Sequence, residues 1–345
     1  MEIKQYMQLE RTKEMRKKRI FLVMMTVAAV LFASGCKQDV GTPEDNAVVE
    51  ETDDKEENRA QDRLFGFLCP DMGNPFYAVL KDSVASALAE QGDRILVRDA
   101  KWDAEEQTAQ LQEMIEQDVE AVFLCPVDQE ALTPALEALD EAGIPVVGLD
   151  MRVAQTDLTD AYVGSDNYNA GQVCGEDLMA NRPEGGGVVI VECPELVPVN
   201  ERITGFEETI ADGGFEIVKR IDTKRDNSAA EGEIMDLLGD GTAVDAVMCG
   251  DDSMAVDVLQ ALAEAGKSDI LVYSVGGSPA IKSALADPTS PMTGVGAQSP
   301  INMGKAAVQT ATAMLEGGVY ETETYVETFF INRDNVDMYG TDGWQ

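Results

Sequence analysis

The stretch Leu64-Phe-Gly-Phe-Leu-Cys-Pro-Asp-Met-Gly-Asn-Pro-Phe-Tyr77 decides the fold of this chain. Its first five residues form a short apolar run, which is typical of a buried strand, and Asn74-Pro75 with two aromatic residues after it is typical of a loop. The run from Ala78 to Gln91 has a helical pattern. Strand, loop and helix in this order begin an α/β unit. Because ligands bind beyond the carboxyl ends of strands in open α/β sheets, Asp71 to Tyr77 is a candidate binding loop.

Strand and helix patterns alternate after this unit. In the last predicted helix of the first half, Leu132, Leu136 and Leu139 mark one face, and Gly143-Ile144-Pro145 ends the helix. Repeated units of this kind predict an α/β fold with a doubly wound parallel sheet. The further predicted strands are Ile95 to Arg98, Ala121 to Leu124, Val146 to Leu149 and Ala161 to Val163, and the further predicted helices are Ala104 to Gln117 and Gln129 to Ala142.

The second half of the chain repeats the first. Val188 to Cys193 resembles Leu64 to Cys69 at a spacing of 124 residues, and Ala246 to Cys249 resembles Val122 to Cys125 at the same spacing. Solenoid repeats are much shorter than this. A two-fold repeat of a five-strand unit therefore predicts two similar lobes that face each other across a cleft.

Composition excludes several function classes. The chain has 64 acidic and 26 basic residues and a formal net charge of −38, which argues against nucleic acid or an anionic membrane surface as a partner. It contains no histidine, so Ser-His-Asp hydrolysis and His-ligated zinc are excluded. Gly185-Gly-Gly187 lacks the Lys-Ser/Thr ending of a phosphate-binding loop. We therefore predict no catalytic residue, no metal site and no cofactor, and a protein that is not an enzyme.

The N-terminal region has the pattern of an export signal, predicted over residues 1–35. Met15-Arg-Lys-Lys-Arg19 is basic, Ile20 to Phe32 is apolar, and small residues precede Cys36. This ending resembles a bacterial lipobox, which implies cleavage before Cys36 and a diacylglycerol on its sulfur. A permanent transmembrane anchor is the alternative, although the apolar run is short for one. Met15 is the expected start of translation, because Met1 to Glu14 add nothing that the signal needs, and Met1 is the alternative.

Residues 36–62 are predicted to be a disordered tether behind the lipid. Ten acidic residues and three basic residues lie between Lys37 and Asp62, and no apolar periodicity accompanies them. Such a segment buries too little apolar surface to offset its ordering entropy. An acidic interaction tail is the alternative. Contact with the membrane is expected only through the lipid anchor.

Six short motifs lie in the folded part: Asn74-Pro-Phe76-Tyr77, Gly148-Leu-Asp150, Ser165-Asp166-Asn167, Arg202-Ile-Thr-Gly205-Phe206, Gly250-Asp251-Asp252-Ser253-Met254-Ala255 and Gly296-Ala-Gln298. In this order they resemble the motifs of periplasmic sugar-binding proteins of the ribose and galactose type. The resemblance runs from about Leu64 to Ile331. It implies the type I periplasmic binding protein fold, with a hinge of three crossovers near Ser165 to Asn167, Gln298 and Thr328. Bacterial repressors share the fold but carry a helix-turn-helix in place of an export signal.

The resemblance also implies how the chain is divided and what it does. The N-terminal lobe is expected over 63–165 plus 299–327, and the C-terminal lobe over 166–298 plus 328–345. The implied function is that of an extracytoplasmic, lipid-anchored substrate-binding protein of an ABC transporter, a monomer that captures a monosaccharide or polyol by hinge closure and delivers it to a membrane permease. The alternative is a ligand-sensing module for a membrane sensor or chemoreceptor.

Eight residues are candidate ligand contacts, and the first four lie after strands of the first half. Phe76 and Tyr77 suit stacking on the apolar face of a sugar, although both also suit packing at the start of a helix. Asn74 also shapes turns, as Asn commonly does before Pro. Trp102 in Lys101-Trp-Asp103 suits either the rim of the cleft or packing under a helix.

The other four candidates lie farther along the chain. Asp150 ends a buried strand, where a carboxylate needs ligand hydroxyls or a salt bridge within the lobe. Arg202 matches the family arginine that donates to the sugar, so its removal is expected to weaken binding and barely change folding; a surface ion pair is the alternative. Gln298 both donates and accepts, as a hydroxyl does. Asp251 completes the set.

This chain departs from the ribose pattern at three places. Met151 stands where the family has an arginine after the aspartate of the fourth strand, and Arg152 comes one place later. Asp251 stands where the ribose type has Asn, and Ser274-Val275-Gly276-Gly277 replaces a stretch that carries an aspartate. A sugar-type ligand is still expected, but ribose itself is not.

Five cysteines besides Cys36 are an odd number, so they do not all pair within the chain. Cys69 with Cys125, and Cys193 with Cys249, are expected to end adjacent strands within bridging range. Cysteines at strand ends are commonly buried as small apolar residues. Free thiols are therefore favoured over disulfides.

Overall fold

The computed structural model of the chain describes residues 62–226 and 228–345. The predicted export signal over 1–35, Cys36 and the predicted tether up to residue 61 lie outside these residues. Within the described ranges, no helix is both long enough and apolar enough to cross a bilayer.

The first half alternates strands and helices. A short 3₁₀ turn at Thr156–Leu158 interrupts the connection between its last two strands. The elements are β1 (Leu64–Cys69), α1 (Pro75–Glu90), β2 (Arg94–Asp99), α2 (Ala104–Glu116), β3 (Ala121–Leu124), α3 (Thr133–Ala142), β4 (Val146–Leu149) and β5 (Ala161–Ser165).

The second half repeats this order and adds a helix and two short strands that complete both sheets. The elements are α4 (Asn167–Asn181), β6 (Gly186–Glu192), α5 (Val197–Ile210), β7 (Phe215–Asp222), α6 (Ser228–Gly239), β8 (Ala246–Cys249), α7 (Asp252–Glu264), β9 (Leu271–Gly276), α8 (Pro279–Ala286), β10 (Met292–Ala297), α9 (Pro300–Leu315), β11 (Glu323–Val326), β12 (Phe329–Asn332) and α10 (Val336–Tyr339).

The strands form two six-stranded sheets. The order in the first is β11-β5-β4-β3-β1-β2, and all of its neighbours are parallel. The order in the second is β12-β10-β9-β8-β6-β7, and only β12 runs antiparallel to its neighbour. The predicted α/β fold with two doubly wound lobes is confirmed. We call the lobe of the first sheet the N-lobe and that of the second the C-lobe.

Alternate residues of each central strand face opposite sides of the sheet, and helices cover both sides. In β1, Phe65 and Phe67 pack with α1 and α9, whereas Leu68 packs with α2 and α3. In β6, Val188 packs with α4 and α5, whereas Val189 packs with α7 and α8. Both sheets are thus buried on two faces, which is why their strands read as continuous apolar runs.

The chain passes between the sheets three times, from β5 to α4, from β10 to α9 and from β11 to β12. Side chains tie these crossovers together. Gln298 Nε2 donates to Ser165 Oγ at 3.0 Å, and the Thr328 hydroxyl donates to the Asp166 carbonyl at 3.1 Å. Asn169 Nδ2 donates to Thr328 Oγ1 at 2.9 Å. The division into 63–165 plus 299–327 and 166–298 plus 328–345 stays a prediction.

Two helices begin at different residues from those predicted, because prolines mark their first turns. The first helix begins at Pro75, three residues before the predicted Ala78, and Asn74 caps it. The third begins at Thr133 with Pro134 in its first turn, whereas the sequence pattern predicts a start at Gln129. A proline suits the first turn of a helix, where its missing N–H has no intrahelical acceptor.

Candidate functional site

A cavity of about 890 Å³ lies between the two lobes. This volume falls within the range of about 300 to 1,000 Å³ that is typical of small-molecule sites. Loops after β1, β2 and β4 line it from the N-lobe, and loops after β6, β7, β8 and β9 line it from the C-lobe. The structure places all eight predicted contact residues in this lining: Asn74, Phe76, Tyr77, Trp102, Asp150, Arg202, Asp251 and Gln298.

The loop after β1 supplies the aromatic part of the N-lobe wall. Phe76 and Tyr77 lie in the first turn of α1, and both line the cavity while most of each side chain is buried in the lobe core. Their rings meet edge to face with centroids 5.4 Å apart. The packing and binding interpretations of these residues are therefore compatible, since both residues pack in the core and line the cavity.

Asn74 has a defined structural task at this loop. Its Oδ1 accepts a hydrogen bond from the Phe76 backbone N–H at 2.9 Å, which caps α1. The carbamoyl oxygen is thus engaged, and the Nδ2 group is the part that remains for a ligand. The turn-shaping interpretation of Asn74 is present in the structure, and its ligand role stays a prediction.

Asp150 is a buried carboxylate at the end of β4. Its Oδ2 accepts a hydrogen bond from the Tyr77 hydroxyl at 2.9 Å, and its backbone carbonyl accepts one from Tyr162 at 2.7 Å. Burial raises the pKa of Asp150, and the charge of Arg202 opposes that rise. No ion pair within the lobe neutralises this carboxylate among the described residues, so it faces the cavity as an acceptor.

The backbone at Asp150 has φ = 61°, in the left-handed region that non-glycine residues adopt rarely. Two hydrogen bonds hold this conformation. The Tyr162 hydroxyl donates to the Asp150 carbonyl, and the Asp150 N–H donates to the Val163 carbonyl. Such conformations persist where the surrounding structure fixes them and are common at binding sites. Asp150 is therefore held in place before any ligand arrives.

Arg202 lies on α5 in the opposite wall, and it is buried. Its Nε donates to Asn167 Oδ1 at 2.9 Å and its Nη1 donates to the Gly250 carbonyl at 3.0 Å. Its Nη2 has no protein acceptor within the described part of the chain. The surface ion pair is therefore not what the structure shows. The two fixed bonds also change the expectation for folding, because removing this side chain leaves two buried acceptors without donors.

The position of Arg202 depends on close contact between α4 and α5. A Cβ atom at Gly171 would lie 1.8 Å from the Arg202 carbonyl oxygen, and one at Gly205 would lie 2.1 Å from the Tyr168 carbonyl oxygen. Only glycine allows this approach of the two backbones. The glycine in the motif Arg202-Ile-Thr-Gly205 thus serves packing that holds the arginine in the cavity wall.

Two adjacent carboxylates at the start of α7 differ in role. Asp251 Oδ1 caps the helix by accepting from the Met254 N–H at 2.9 Å. Asp252 is buried and accepts from Ser274 Oγ at 2.7 Å and from the N–H groups of Gly277 and Ser278 at 2.8 and 2.6 Å. Burial raises the pKa of Asp252, and these bonds oppose the rise. The sequence pattern points to Asp251 and not to Asp252. The pair Gly276-Gly277, which packs against Asp252, is nevertheless visible in the sequence.

Gln298 lines the cavity at a crossover between the lobes. Its side-chain amide donates to Ser165 Oγ, and its backbone N–H donates to the Gly276 carbonyl at 2.8 Å. It thus connects the cavity lining to two crossover segments. A ligand contact at Gln298 remains a prediction that this position suits.

Trp102 follows β2 and faces the C-lobe. The guanidinium of Arg225, in the loop after β7, lies 4.8 Å from the centroid of the Trp102 ring. Arg225 also pairs with Glu195 at 3.2 Å. The Trp102 ring thus lies at the cleft and contacts the opposite lobe, which favours the rim over packing under the helix. Arg225 is a cavity residue that sequence reasoning missed, since nothing in its local sequence marks it.

Two further features complete the lining. Met151 lines the cavity and is buried at the position where the resemblance expects an arginine. Asp342, Gly343 and Trp344, near the end of the sequence, line it as well. The six residues after α10 have no strand or helix pattern, so the sequence carries no signal that would bring them to the cleft.

Within the described ranges, no group of three or more Cys, Asp or Glu residues is arranged to hold a metal ion. The five cysteines of this part of the chain are buried and unbridged. Burial raises the pKa of each thiol, to about 12 at Cys69. Cys193 lines the cavity, where its thiol is a small apolar group.

A family model described as "periplasmic binding protein domain" matches residues 65–318. The ribose import binding protein of Bacillus subtilis is 29% identical over 247 residues, which cover 71% of this chain and 79% of that protein. The D-ribose/D-allose-binding protein of Pseudomonas aeruginosa is 26% identical over 274 residues, which cover 74% of this chain and 84% of that protein.

Solved structures show the same architecture. An ABC transporter solute-binding protein from Mycobacterium smegmatis with bound glycerol superposes with a TM-score of 0.76 at 26% identity, covering 82% of this chain and 99% of that one. A second, from Bacillus halodurans with bound myo-inositol, gives a TM-score of 0.74 at 23% identity and covers 81% and 97% of the two chains.

Proposed function

The chain belongs to the periplasmic binding protein domain family, and on that basis we propose that it is the solute-binding component of an ABC transporter for a monosaccharide or related polyol. Its relatives are substrate-binding transport proteins and not enzymes. The relatives named for ribose and allose, and the structures with bound glycerol and myo-inositol, support a polyhydroxylated ligand.

One observation carries this proposal: the two lobes present complementary groups to one cavity. Asp150 offers a buried acceptor from the N-lobe, and Arg202 offers a buried donor from the C-lobe. A sugar hydroxyl both donates and accepts, so one ligand satisfies both walls. Phe76 and Tyr77 add aromatic rings that suit packing against the C–H face of a sugar ring. We propose that all eight lining residues predicted from the sequence contact the ligand.

Complementary walls on two lobes imply closure on binding. The three crossovers are short and tied to one another by side-chain bonds, so they suit rotation of one lobe against the other. A ligand that bonds both walls stabilises the closed arrangement by its differential affinity for the two states. The closed protein then presents the ligand to a membrane permease.

A thermal-shift screen tests the proposed ligand class. Purified protein is heated with pentoses, hexoses and cyclitols, and with amino acids and nucleosides as the contrasting set. A ligand that binds only the native state raises the melting temperature, by an amount equivalent to about 2.7 kcal/mol at a concentration one hundred times its Kd. We expect shifts from the sugar and cyclitol set. Shifts from amino acids or nucleosides alone would contradict the proposal.

We further propose that the protein is exported and anchored by lipid at Cys36, facing the extracytoplasmic side, and that it acts as a monomer. Family membership supports an extracytoplasmic place, and the basic, apolar and small-residue pattern before Cys36 supports the anchor. Cys36→Ala should lose metabolic labelling by an alkyne fatty acid and leave the membrane fraction or stay uncleaved. Cys193→Ala serves as the matched control and should label as the wild type does. Equal labelling of both variants would exclude Cys36 as the anchor.

A further inference from the structure

The segment after α10 leaves the C-lobe and reaches the N-lobe. The helix itself belongs to the C-lobe, because Val336 packs in its core and Tyr339 stacks on Phe329 with ring centroids 5.1 Å apart. Gly340 then turns the chain with φ = 70°. The next residues cross to the other side of the cleft, so the end of the range 328–345 departs from the division of the lobes.

Trp344 is where this segment contacts the N-lobe. Its ring meets Phe76 edge to face with centroids 5.9 Å apart, and it packs against the N-lobe core. Ser299 Oγ donates to the Gln345 carbonyl, and Gln345 Nε2 donates to the Tyr339 carbonyl at 3.2 Å. The indole is therefore held between a fixed point on each lobe.

Trp344 also has the properties of a contact residue. It lines the cavity beside Phe76 and is only partly buried, unlike the tightly packed rings of the core. Its indole N–H has no acceptor within the described ranges of the chain. An indole offers an apolar face and one donor, and a sugar or cyclitol ring offers a C–H face and hydroxyl acceptors. The two sets of groups are complementary.

We propose that Trp344 is a specificity-determining contact residue, which extends the aromatic wall of Phe76 and Tyr77 over one face of the ligand ring. The proposal rests on the proposed function of the cavity as a sugar or polyol site. Trp344 lies outside the residues 65–318 that the family model matches, so it is a feature of this chain that family membership does not supply. Such an aromatic wall discriminates between ligands by the size of their ring and by the number of hydroxyls on the ring face that it contacts.

The sequence supplies a direct probe of this contact, because the chain has two tryptophans, Trp102 and Trp344. Trp102→Phe leaves Trp344 as the sole indole. The first experiment titrates this variant with the pentose, hexose or cyclitol that gives the largest thermal shift of the wild type. We expect the Trp344 emission to change in intensity or wavelength with the same concentration dependence as the heat of binding.

The second experiment measures affinity and ranking by calorimetry. Trp344→Ala should weaken binding of that compound about tenfold, as loss of one well-placed aromatic contact does. Trp344→Phe keeps the packing on Phe76 and should recover most of the affinity. Both variants should change the order of affinity among pentose, hexose and cyclitol. Met338→Ala, an exposed apolar residue of the same C-terminal region, is the matched control and should change neither.

Melting temperatures without sugar separate contact from packing. A uniform loss of affinity for all compounds that follows a lower melting temperature of Trp344→Ala would assign Trp344 to packing alone and overturn the inference. Wild-type binding with an unchanged Trp344 emission and unchanged ranking would overturn it as well, while leaving the proposed function intact. No thermal shift of the wild type by any sugar or cyclitol would overturn both.

Discussion

The corresponding ends of β4 in the N-lobe and β9 in the C-lobe carry different chemistry on the same framework. β4 runs into Asp150, whose carboxylate accepts from the Tyr77 hydroxyl and, within the described part of the chain, from no second donor, and it lines the cavity. β9 ends in Gly276, where a Cβ atom would lie 2.5 Å from the Asp252 carboxyl carbon. At the end of β9, the nearby carboxylate is thus that of Asp252 in α7. It accepts three hydrogen bonds from within the C-lobe. The N-lobe unit thus has a carboxylate at the cavity with remaining acceptor capacity, whereas the C-lobe unit bonds its carboxylate internally.

The difference teaches how to assign buried charges in a repeated fold. A carboxylate with several backbone and hydroxyl donors is satisfied by the protein, whereas one with a single donor at a cavity still has acceptor capacity. The two positions look similar in sequence, since each is an aspartate beside the end of a strand. Substitutions at both positions and at their partners test this assignment.

The largest effect is expected for Asp252→Ala. Three donors would lose a charged acceptor in a buried place, so the free energy of unfolding should fall by about 3 to 5 kcal/mol. Urea denaturation followed by circular dichroism measures this. Asp251→Asn is the matched control, since Asn also caps helices, and it should change stability by less than about 1 kcal/mol. An equal loss of unfolding free energy in the two variants would contradict the proposed difference between Asp251 and Asp252.

Arg202→Ala should have the next largest effect, on binding first. Loss of its charge-assisted bonds to a sugar should cost about 2 to 4 kcal/mol of binding free energy, or roughly thirty-fold to several-hundred-fold in Kd. Stability should fall too, because Asn167 and the Gly250 carbonyl lose their donor. Arg202→Lys keeps the positive charge and loses the planar, forked set of donors of the guanidinium. Its affinity should therefore lie between those of the wild type and Arg202→Ala. Calorimetry and thermal unfolding measure the two effects, and wild-type affinity in both variants would exclude Arg202 as a contact.

Asp150 is expected to make binding depend on pH. Burial raises its pKa above the ordinary value of 3.8, Arg202 opposes this, and the nearby Glu201 adds to it. The folded protein therefore holds this proton to higher pH than the unfolded chain, so the contribution of Asp150 to stability without ligand falls as pH rises through that window. Binding changes in the opposite direction, because sugar hydroxyls donate to the ionised form, and affinity should weaken on acidification.

Asp150→Asn isolates this group. The variant should bind about tenfold more weakly at neutral pH, since an amide replaces only half of the acceptor, and its affinity should vary less with pH than that of the wild type. Calorimetry from pH 4 to pH 7 compares the two proteins. Parallel pH profiles would show that another group governs the titration.

The smallest effect is expected for Arg225→Gln, which removes the contact with Trp102 across the cleft. Cation–π contacts at exposed sites contribute about 0.5 to 1 kcal/mol, so affinity should fall two- to five-fold through a less stable closed state. Glu195→Gln breaks only the ion pair within the C-lobe and is the matched control. A larger radius of gyration of Arg225→Gln with sugar, measured by X-ray scattering, would support the contact as part of closure. Identical curves for both variants would exclude it.

Most of the fold was predictable because it is recorded in local patterns. The apolar runs of the buried strands, and the repeat of the strand segment that ends at Cys69 in the one that ends at Cys193, predict two doubly wound lobes. The sequence pattern places the start of α1 three residues too late, with Pro75 in a loop, and the start of α3 four residues too early, with Pro134 inside the helix. Both prolines lie in first turns, and local pattern does not distinguish this use of proline from the others.

The candidate site was predictable where contacts follow strands or lie in a motif of the family. Asp150 and Arg202 could be selected from motifs. The two hydrogen bonds that hold the Arg202 side chain, however, depend on the close contact between α4 and α5 that their glycines allow. Trp344 and Arg225 reach the cavity through segments without any regular pattern. Their positions follow from tertiary packing, which no short window of sequence records.

The completion of the N-lobe by α9 and β11 has a consequence for biosynthesis. The first five strands leave the ribosome first, but Met303 of the lobe core and the edge strand at Glu323–Val326 are made only after β6 to β10 of the C-lobe. An N-lobe without these parts exposes apolar surface along β5 and α1 and cannot reach its full stability. For a member of an extracytoplasmic family, the nascent chain should thus stay incompletely folded while it is being translated, a state that a translocation channel is able to accept.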